Sequence, residues 1–230
     1  NACFRRIDIM KLSKKIFGVN YTFGSVKEVM AKANERKSGD VLAGIGAKDA
    51  KERVAAKYVL ADLTVEEITE NPAVSYEEDS VTRIIIDGID KKQYDSIRSL
   101  TIGELREKIL DNRLDGNDIL KLASGMTSEV IAALAKLMGN LDLMYVSRKL
   151  HITAHCNTTI GEPGTFAVRL QPNHPTDDVK GVTASLLEGL SYGAGDAVIG
   201  LNPAIDTLKS TSDILYLFND VKTKLKIPTQ

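Results

Sequence analysis

The chain has 230 residues, of which 27% are charged, with 30 basic against 31 acidic side chains and a formal net charge of -1. A balance this even, without a run of one sign, argues against a nucleic-acid-binding protein or a protein held at an anionic membrane surface. The sequence also lacks a signal-peptide pattern and any apolar stretch near the about 20 residues that span a bilayer, so we expect a cytoplasmic protein.

The N-terminal part of the chain reads as a helical region. Residues 1–9 precede Met10 and have no periodic pattern, and we interpret them as extra N-terminal residues from cloning or an upstream start. Apolar residues alternate over residues 12–23, which predicts a strand or small hairpin. Residues 26–37 then predict a helix that Gly39 ends, and residues 10–140 as a whole form the predicted helical region.

Two capping boxes of the same design lie within this region, Thr64 with Glu67 and Thr101 with Glu104. In each, a threonine hydroxyl and a glutamate three residues later can satisfy the free backbone groups at a helix start. The residues around the two boxes do not match, so we interpret them as two independently capped helices. Between the boxes, the apolar run over residues 81–89 predicts a buried helical turn or strand.

From residue 141 the pattern changes to short apolar strands separated by helices. The candidate strands are residues 142–146, 166–170 and 197–201, and the candidate helices are residues 176–192 and 212–225. A helix between two strands makes the strands parallel, and their C-terminal ends then meet at one edge of the sheet. The sequence therefore predicts an α/β protein in which residues 141–230 form three strand–helix units.

Polar side chains end the second and third candidate strands, immediately before prolines. These are Arg169 and Gln171 on the first and Asn202 on the second. A guanidinium and two carboxamides together suit a small polar substrate with a hydroxyl group, and ligands of α/β proteins bind at this edge. The structural alternative is that Arg169 and Gln171 tie loops together and that Asn202 belongs to a simple turn.

The cysteines and histidines do not predict a metal site. Cys3 and Cys156 are too few for a disulfide framework, and we interpret both as reduced thiols. His151 and His155 have helical spacing, but the glycine and proline near them indicate a loop, and a third ligand is missing. His174 lies just past a predicted strand end, and we expect it to face solvent.

Several long strings resemble the ethanolamine ammonia-lyase large-subunit family. The resemblance covers almost everything from Met10 onward, in the family's order. The strings that carry it are NTTIGEPGTF (157–166), RLQPN (169–173), GDAVIGLNP (195–203), RKSGDVLAG (36–44), ERVAAK (52–57), TSEV (127–130) and IPTQ (227–230). The family fold implies a helical extension followed by the first part of a (β/α)8 TIM-type barrel. About 90 residues are too few for the whole barrel, so we expect a chain truncated in the middle of it.

The resemblance also implies a function, the adenosylcobalamin-dependent radical deamination of ethanolamine to acetaldehyde and ammonia. It assigns substrate binding to Arg169, Leu170, Gln171 and Asn202, a catalytic role to Arg169, and contact with the cobalamin to Pro203. The implied partners are the small subunit of the lyase and further large subunits, without nucleic acid or membrane. The implied location is the cytoplasm, with a bacterial microcompartment as a further expectation.

Two other classes of function stay open. A different TIM-barrel lyase or aldolase on a small hydroxylated substrate would share the polar strand ends, although the lysine or phosphate-binding glycines usual in such enzymes do not stand out. Alternatively, the chain as it stands is an inactive fragment whose helical region mediates assembly. A change in the visible spectrum of added adenosylcobalamin, with and without ethanolamine, separates these classes.

Overall fold

The computed structural model of the chain describes residues 9–155, 157–205 and 207–229. The structure divides into two compact units, with the division between Leu150 and His151. Helices and small sheets both occur, so the prediction of a mixed α/β protein is confirmed at this level. None of the helices in the described ranges combines the length and hydrophobicity needed to cross a bilayer.

The first unit opens with a single 3-10 turn (Ile9–Leu12) and an antiparallel hairpin of β1 (Ser13–Ile16) and β2 (Val19–Thr22), in which Ile16 pairs with Val19. The two turn residues, Phe17 and Gly18, both have positive φ, which matches the twist of the flanking strands. The hairpin predicted over residues 12–23 is therefore confirmed. The helices that follow are α1 (Val26–Lys32), α2 (Ser38–Leu42), α3 (Ala50–Asp62), α4 (Val65–Thr69), α5 (Ser80–Asp87), α6 (Lys91–Ile97), α7 (Ile102–Leu110), α8 (Gly116–Ala123), α9 (Ser128–Leu137) and α10 (Asn140–Lys149).

The two capping boxes of the first unit lie against each other. Both boxes form as predicted, with each threonine hydroxyl accepting from the glutamate N–H and each glutamate carboxylate accepting from the threonine N–H. Thr64 and Thr101 also pair as an antiparallel bridge. The backbone N–H after each threonine donates to the carbonyl before the other, with N to O distances of 3.0 and 2.8 Å. Each helix is capped by its own box, as predicted, and the backbone bridge adds a reciprocal pairing of the two helix starts that the sequence does not indicate.

This reciprocal pair lies in the core of the first unit. The residues that follow each threonine, Val65 and Ile102, are fully buried, and so are Ile68 and Leu105 one turn further along. The pairing thus gives hydrogen-bond partners to the N–H groups of Val65 and Ile102, which have none within their own helices and are buried away from water.

Three predictions for the first unit are corrected. The helix predicted over residues 26–37 ends at Lys32, and Gly39 lies inside α2. The run over residues 81–89 is helical, in α5, but it is not buried, since Ile84 is 73% exposed. The strand predicted over residues 142–146 is wrong, because these residues lie in α10.

Two contacts of Asp142, one within its own helix start and one with α7, explain why residues 142–146 are helical. The carboxylate of Asp142 accepts a hydrogen bond from the N–H of Gly139 at the start of α10 and an ion pair from Arg106 of α7 at 2.5 Å. A short apolar run does not by itself distinguish strand from helix. Because α10 packs against α7, the first unit continues to Leu150, ten residues beyond residue 140, where the predicted helical region ends.

The second unit combines short strands with two long helices. Its elements are β3 (Ala154–His155), β4 (Thr159–Ile160), β5 (Arg169–Leu170), α11 (Val179–Ser191), β6 (Val198–Ile199) and α12 (Leu208–Leu225). β3 and β4 form an antiparallel pair, and β5 and β6 form a parallel one. The core of this unit lies between both helices and β6, with the buried residues Val182, Leu186, Ile199, Ile214 and Phe218.

Removing one box hydroxyl tests the capping role of Thr101. We expect Thr101→Ala to lower the free energy of unfolding by about 1 kcal/mol, because the N–H of Glu104 loses its acceptor at a helix start. The measurement is urea unfolding followed by far-ultraviolet circular dichroism. The control is Thr101→Ser, which keeps the hydroxyl and should stay close to wild type. Equal losses in the two variants would contradict the capping role.

Candidate active site

The candidate site lies at the C-terminal ends of β5 and β6. The two strands are parallel, as predicted, with Arg169 opposite Val198 and Leu170 opposite Ile199. Backbone hydrogen bonds extend the pairing, from the N–H of Gly200 to the carbonyl of Leu170 at 2.9 Å. α11 connects the strands, so the loops that follow them emerge at the same edge.

The strands themselves are shorter than predicted. Each has two residues, where the sequence predicts five in residues 166–170 and five in residues 197–201. Phe166 lies outside the strand and is 98% exposed. Gly161, Pro163 and Gly164 precede this segment, and residues of these types interrupt regular pairing.

Arg169 lies on β5 with its guanidinium against the backbone at Gly200, the residue directly after β6. A Cβ atom placed on Gly200 would be 2.7 Å from Nη2 and 2.8 Å from Nε of Arg169, so the absence of a side chain at Gly200 makes room for this cation. Arg169 is exposed. With respect to the residues that the structure describes, its side chain takes part in no hydrogen bond or ion pair.

Gln171 and Asn202 follow the two strands and are also exposed. Gln171 comes directly after β5, and Asn202 lies two residues beyond Gly200. Neither side chain hydrogen-bonds to another residue of the described ranges.

Leu170 and Pro203 complete the predicted set. The side chain of Leu170 packs against α11, where a Cβ placed on Gly189 would lie 2.4 Å from one of its methyl groups. Pro203 is half-buried in the loop after β6. A contact of Leu170 with substrate and of Pro203 with a cofactor stay predictions.

Asp177 is a site residue that the sequence analysis missed. Its carboxylate accepts hydrogen bonds from the N–H groups of Ala204 and Ile205, at 2.9 and 2.6 Å, and from the hydroxyl of Ser210 at 3.4 Å. The backbone N–H of Ala204, followed by that of Ile205, holds the pKa of the Asp177 carboxyl below its usual value. Pro175 shortly before two aspartates indicates a turn in the sequence. It does not indicate that the Asp177 carboxylate, rather than that of Asp178, reaches the loop after β6.

Two further side chains outside the predicted set, those of Asp196 and Asn157, hydrogen-bond to backbone groups of segments distant in sequence. The carboxylate of Asp196 accepts from the N–H of Val168 at 2.8 Å, just before β5. The amide of Asn157 donates to the carbonyl of Thr229 at 2.7 Å. Segments that are distant in sequence thus meet around the strand pair.

The histidines do not gather around the strand ends. His155 lies in β3, where its ring contacts the hydroxyls of Thr153 and Thr159, and His151 is exposed. The expectation that His174 faces solvent is only partly right, since its ring packs closely over Gly181. Within the described residues, no group of three or more His, Cys, Asp or Glu side chains is arranged to hold a metal ion, and Cys156 lies outside those residues.

The candidate site is thus a cation and two carboxamides at the C-terminal ends of two parallel strands, the edge at which ligands bind in the α/β class of proteins. A family model described as ethanolamine ammonia lyase large subunit matches residues 21–230, and the chain belongs to this family.

Individual relatives agree with the family match. The ethanolamine ammonia-lyase large subunit of Escherichia coli strain K12 is 49% identical over 221 residues, and that of Salmonella typhimurium strain LT2 is 50% identical over the same length. These matches cover 96% of this chain and 49% of each relative. The chain therefore spans about half the length of the curated relatives it matches.

Filling the space beside Arg169 tests the arrangement of the site. We expect Gly200→Ala to displace the guanidinium while lowering the free energy of unfolding by less than about 1 kcal/mol, because the new methyl group meets the end of a flexible side chain. The measurement is the Arg169 Nε–H resonance together with thermal unfolding. Gly39→Ala, with open space around the new Cβ, is the control. An unchanged resonance would contradict the contact.

The lowered pKa of Asp177 predicts an acid-sensitive loop. Above the ordinary aspartate pKa of about 4, the ionised carboxylate contributes its full stabilisation. As the pH falls through the lowered pKa of the folded state, the carboxylate takes up a proton and this contribution is lost. We therefore expect the difference in unfolding free energy between wild type and Asp177→Asn to narrow from about pH 6 to about pH 2.5. A constant difference over that range would contradict the prediction.

Proposed function

We propose that this chain provides the substrate-binding part of an ethanolamine ammonia-lyase, which deaminates ethanolamine to acetaldehyde and ammonia. The family match supports the reaction class. The observation that carries the proposal is the set of Arg169, Gln171 and Asn202, three exposed polar side chains at one strand edge with no hydrogen-bond partner in the described ranges. The polar atoms of these three side chains can therefore bind a ligand without first breaking a hydrogen bond to another described residue.

The chemistry of the three side chains suits an amino alcohol. Asn202 and Gln171 each offer both an acceptor and donors, which a hydroxyl group can use in either direction. Arg169 offers a permanent cation with a planar set of donors. We assign to Arg169 the stabilisation of negative charge on the substrate oxygen as the amino group departs, because a donor aimed at developing charge acts mainly on the transition state.

We further propose that the second unit is the first part of a (β/α)8 barrel of the TIM type, preceded by the helical unit. The support is the parallel β5–α11–β6 unit, which has the connectivity of neighbouring strands in such a barrel. Active sites of TIM barrels lie at the C-terminal ends of the strands, where Arg169, Gln171 and Asn202 are found.

Adenosylcobalamin is the cofactor that we propose for this enzyme. The residue types in the loop after β6 suit a large, flat ring with amide substituents. Residues 202–205 carry no ionisable side chain, and Ile205 is 48% exposed beside the half-buried Pro203. Pro203 would lie against the corrin ring. When bound, adenosylcobalamin supplies the radical chemistry that breaks a substrate C–H bond, and the protein binds and orients the substrate.

The proposed partners follow from the names of the relatives. A large subunit implies a small subunit, with which we expect this protein to assemble. The further large subunits of the proposed oligomer come from the family resemblance alone. Location in the cytoplasm or in a microcompartment stays a prediction from the resemblance.

Replacing Arg169 tests the proposed function. In the full-length lyase with its small subunit, we expect Arg169→Ala to lower ethanolamine turnover at least about a hundredfold, since losing one such donor costs about 3 kcal/mol of transition-state stabilisation. Binding of adenosylcobalamin, followed by its visible spectrum with and without ethanolamine, should be retained.

Two further variants calibrate this experiment. Arg169→Lys keeps the charge without the planar donors and should fall between wild type and Arg169→Ala. Arg148→Ala removes an exposed arginine of α10 in the first unit and should leave turnover unchanged. Turnover of Arg169→Ala within about threefold of wild type would remove Arg169 from the catalytic role.

A further inference from the structure

A buried carboxylate, that of Asp177, joins the two loops that carry the proposed substrate-binding groups. Asp177 lies in the loop after β5, which begins with Gln171, and it is 7% exposed. Its two oxygens accept from consecutive backbone N–H groups, those of Ala204 and Ile205, in the loop after β6. These two residues directly follow Asn202 and Pro203.

The backbone around Asp177 aims its carboxylate at this loop. The N–H of Asp177 donates to the carbonyl of His174 at 3.0 Å, which closes a turn with Pro175 at its second position. Asp177 itself has a φ of 51°, in the left-handed region that aspartate tolerates better than most residues. A strained conformation of this kind persists when its surroundings hold it in place.

The neighbouring aspartate shows what this conformation achieves. Asp178 is exposed and caps α11, accepting from the N–H of Gly181 at 2.8 Å. Two adjacent carboxylates thus serve different segments: Asp178 stabilises its own helix, and Asp177 reaches across to the next loop. The Ser210 hydroxyl of α12 also donates to Asp177, so the start of that helix joins the same contact.

We propose that Asp177 is a positioning residue that fixes the loop of Asn202 and Pro203 relative to Arg169 and Gln171. This inference rests on the proposed function for the identity of the substrate. Asp177 touches neither substrate nor cofactor in this role. It fixes the backbone at Ala204 and Ile205, two and three residues after Asn202. The amide of Asn202 is then in place before substrate binds, which lowers the entropic cost of binding.

Two kinds of measurement test the proposal in the full-length lyase with its small subunit. Hydrogen exchange at Ala204 and Ile205 reports on the loop, and steady-state kinetics with ethanolamine report on the site. We expect Asp177→Ala to speed exchange at these two amides at least about tenfold, since both lose their acceptor. We also expect KM for ethanolamine to rise at least about fivefold while kcat stays within about threefold, the pattern of lost ground-state binding.

Matched variants separate positioning from general stability. Asp177→Asn keeps one of the two acceptor oxygens and tolerates the left-handed backbone, so it should protect one of the two amides, give a KM between those of wild type and Asp177→Ala, and serve if Asp177→Ala does not fold. Asp178→Ala removes the adjacent carboxylate and weakens the start of α11. It should leave KM, and the exchange rates of the Ala204 and Ile205 amides, near wild type. If general loss of stability around α11 were the cause of the Asp177→Ala effects, Asp178→Ala would change these quantities as well.

Three results would show that Asp177 does not position this loop for substrate binding, which is the proposal. Exchange at Ala204 and Ile205 that is unchanged in Asp177→Ala, or faster exchange with an unchanged KM, would overturn it. Equal effects of Asp178→Ala would overturn it as well. Failure of the proposed function looks different, because wild-type protein would then not turn over ethanolamine at all.

Discussion

The parallel pairing of β5 with β6 decides where the groups of the candidate site lie. Each strand contributes two residues to the pair, yet the register places Arg169 beside the chain that leads to Gly200 and Asn202. A shift of one residue would turn Arg169 to the opposite face, where Leu170 now packs on α11. The site therefore depends on the packing of α11 against this short sheet, which holds the register.

Glycines let these elements approach closely. Gly200 leaves room for the guanidinium of Arg169, and Gly189 leaves room for Leu170 against α11. One glycine thus lies on each side of β5, and at each the neighbouring side chain occupies the space that a methyl group would need. The cation and the core residue next to it in sequence are positioned by the same principle, which is close packing against a backbone without side chains.

In the first unit, close approach of two helix starts lets their backbone groups hydrogen-bond to each other. A helix start leaves N–H groups without partners, which is costly where water is excluded. The paired boxes at Thr64 and Thr101 satisfy these groups by capping within each helix and by reciprocal bonds between the two helix starts.

Local sequence determined the helices and their caps well, because capping boxes, amphipathic spacing and turn residues act within a few positions. It also determined the hairpin at Phe17 and Gly18 and the parallel direction of the strands around α11. The strings that resemble a known lyase family were readable without any structure, and the comparisons confirm that family.

Tertiary structure decided what depends on distant partners. Residues 142–146 are helical because Arg106 and Gly139 hold Asp142 at a helix start, and the two capping boxes meet although 37 positions separate their threonines. Asp177 and Asp178 are chemically identical and adjacent, and only the fold distinguishes the carboxylate that reaches Ala204 and Ile205 from the one that caps a helix. Sequence patterns describe which groups a segment offers, whereas the partner that each group finds is set by how the chain packs.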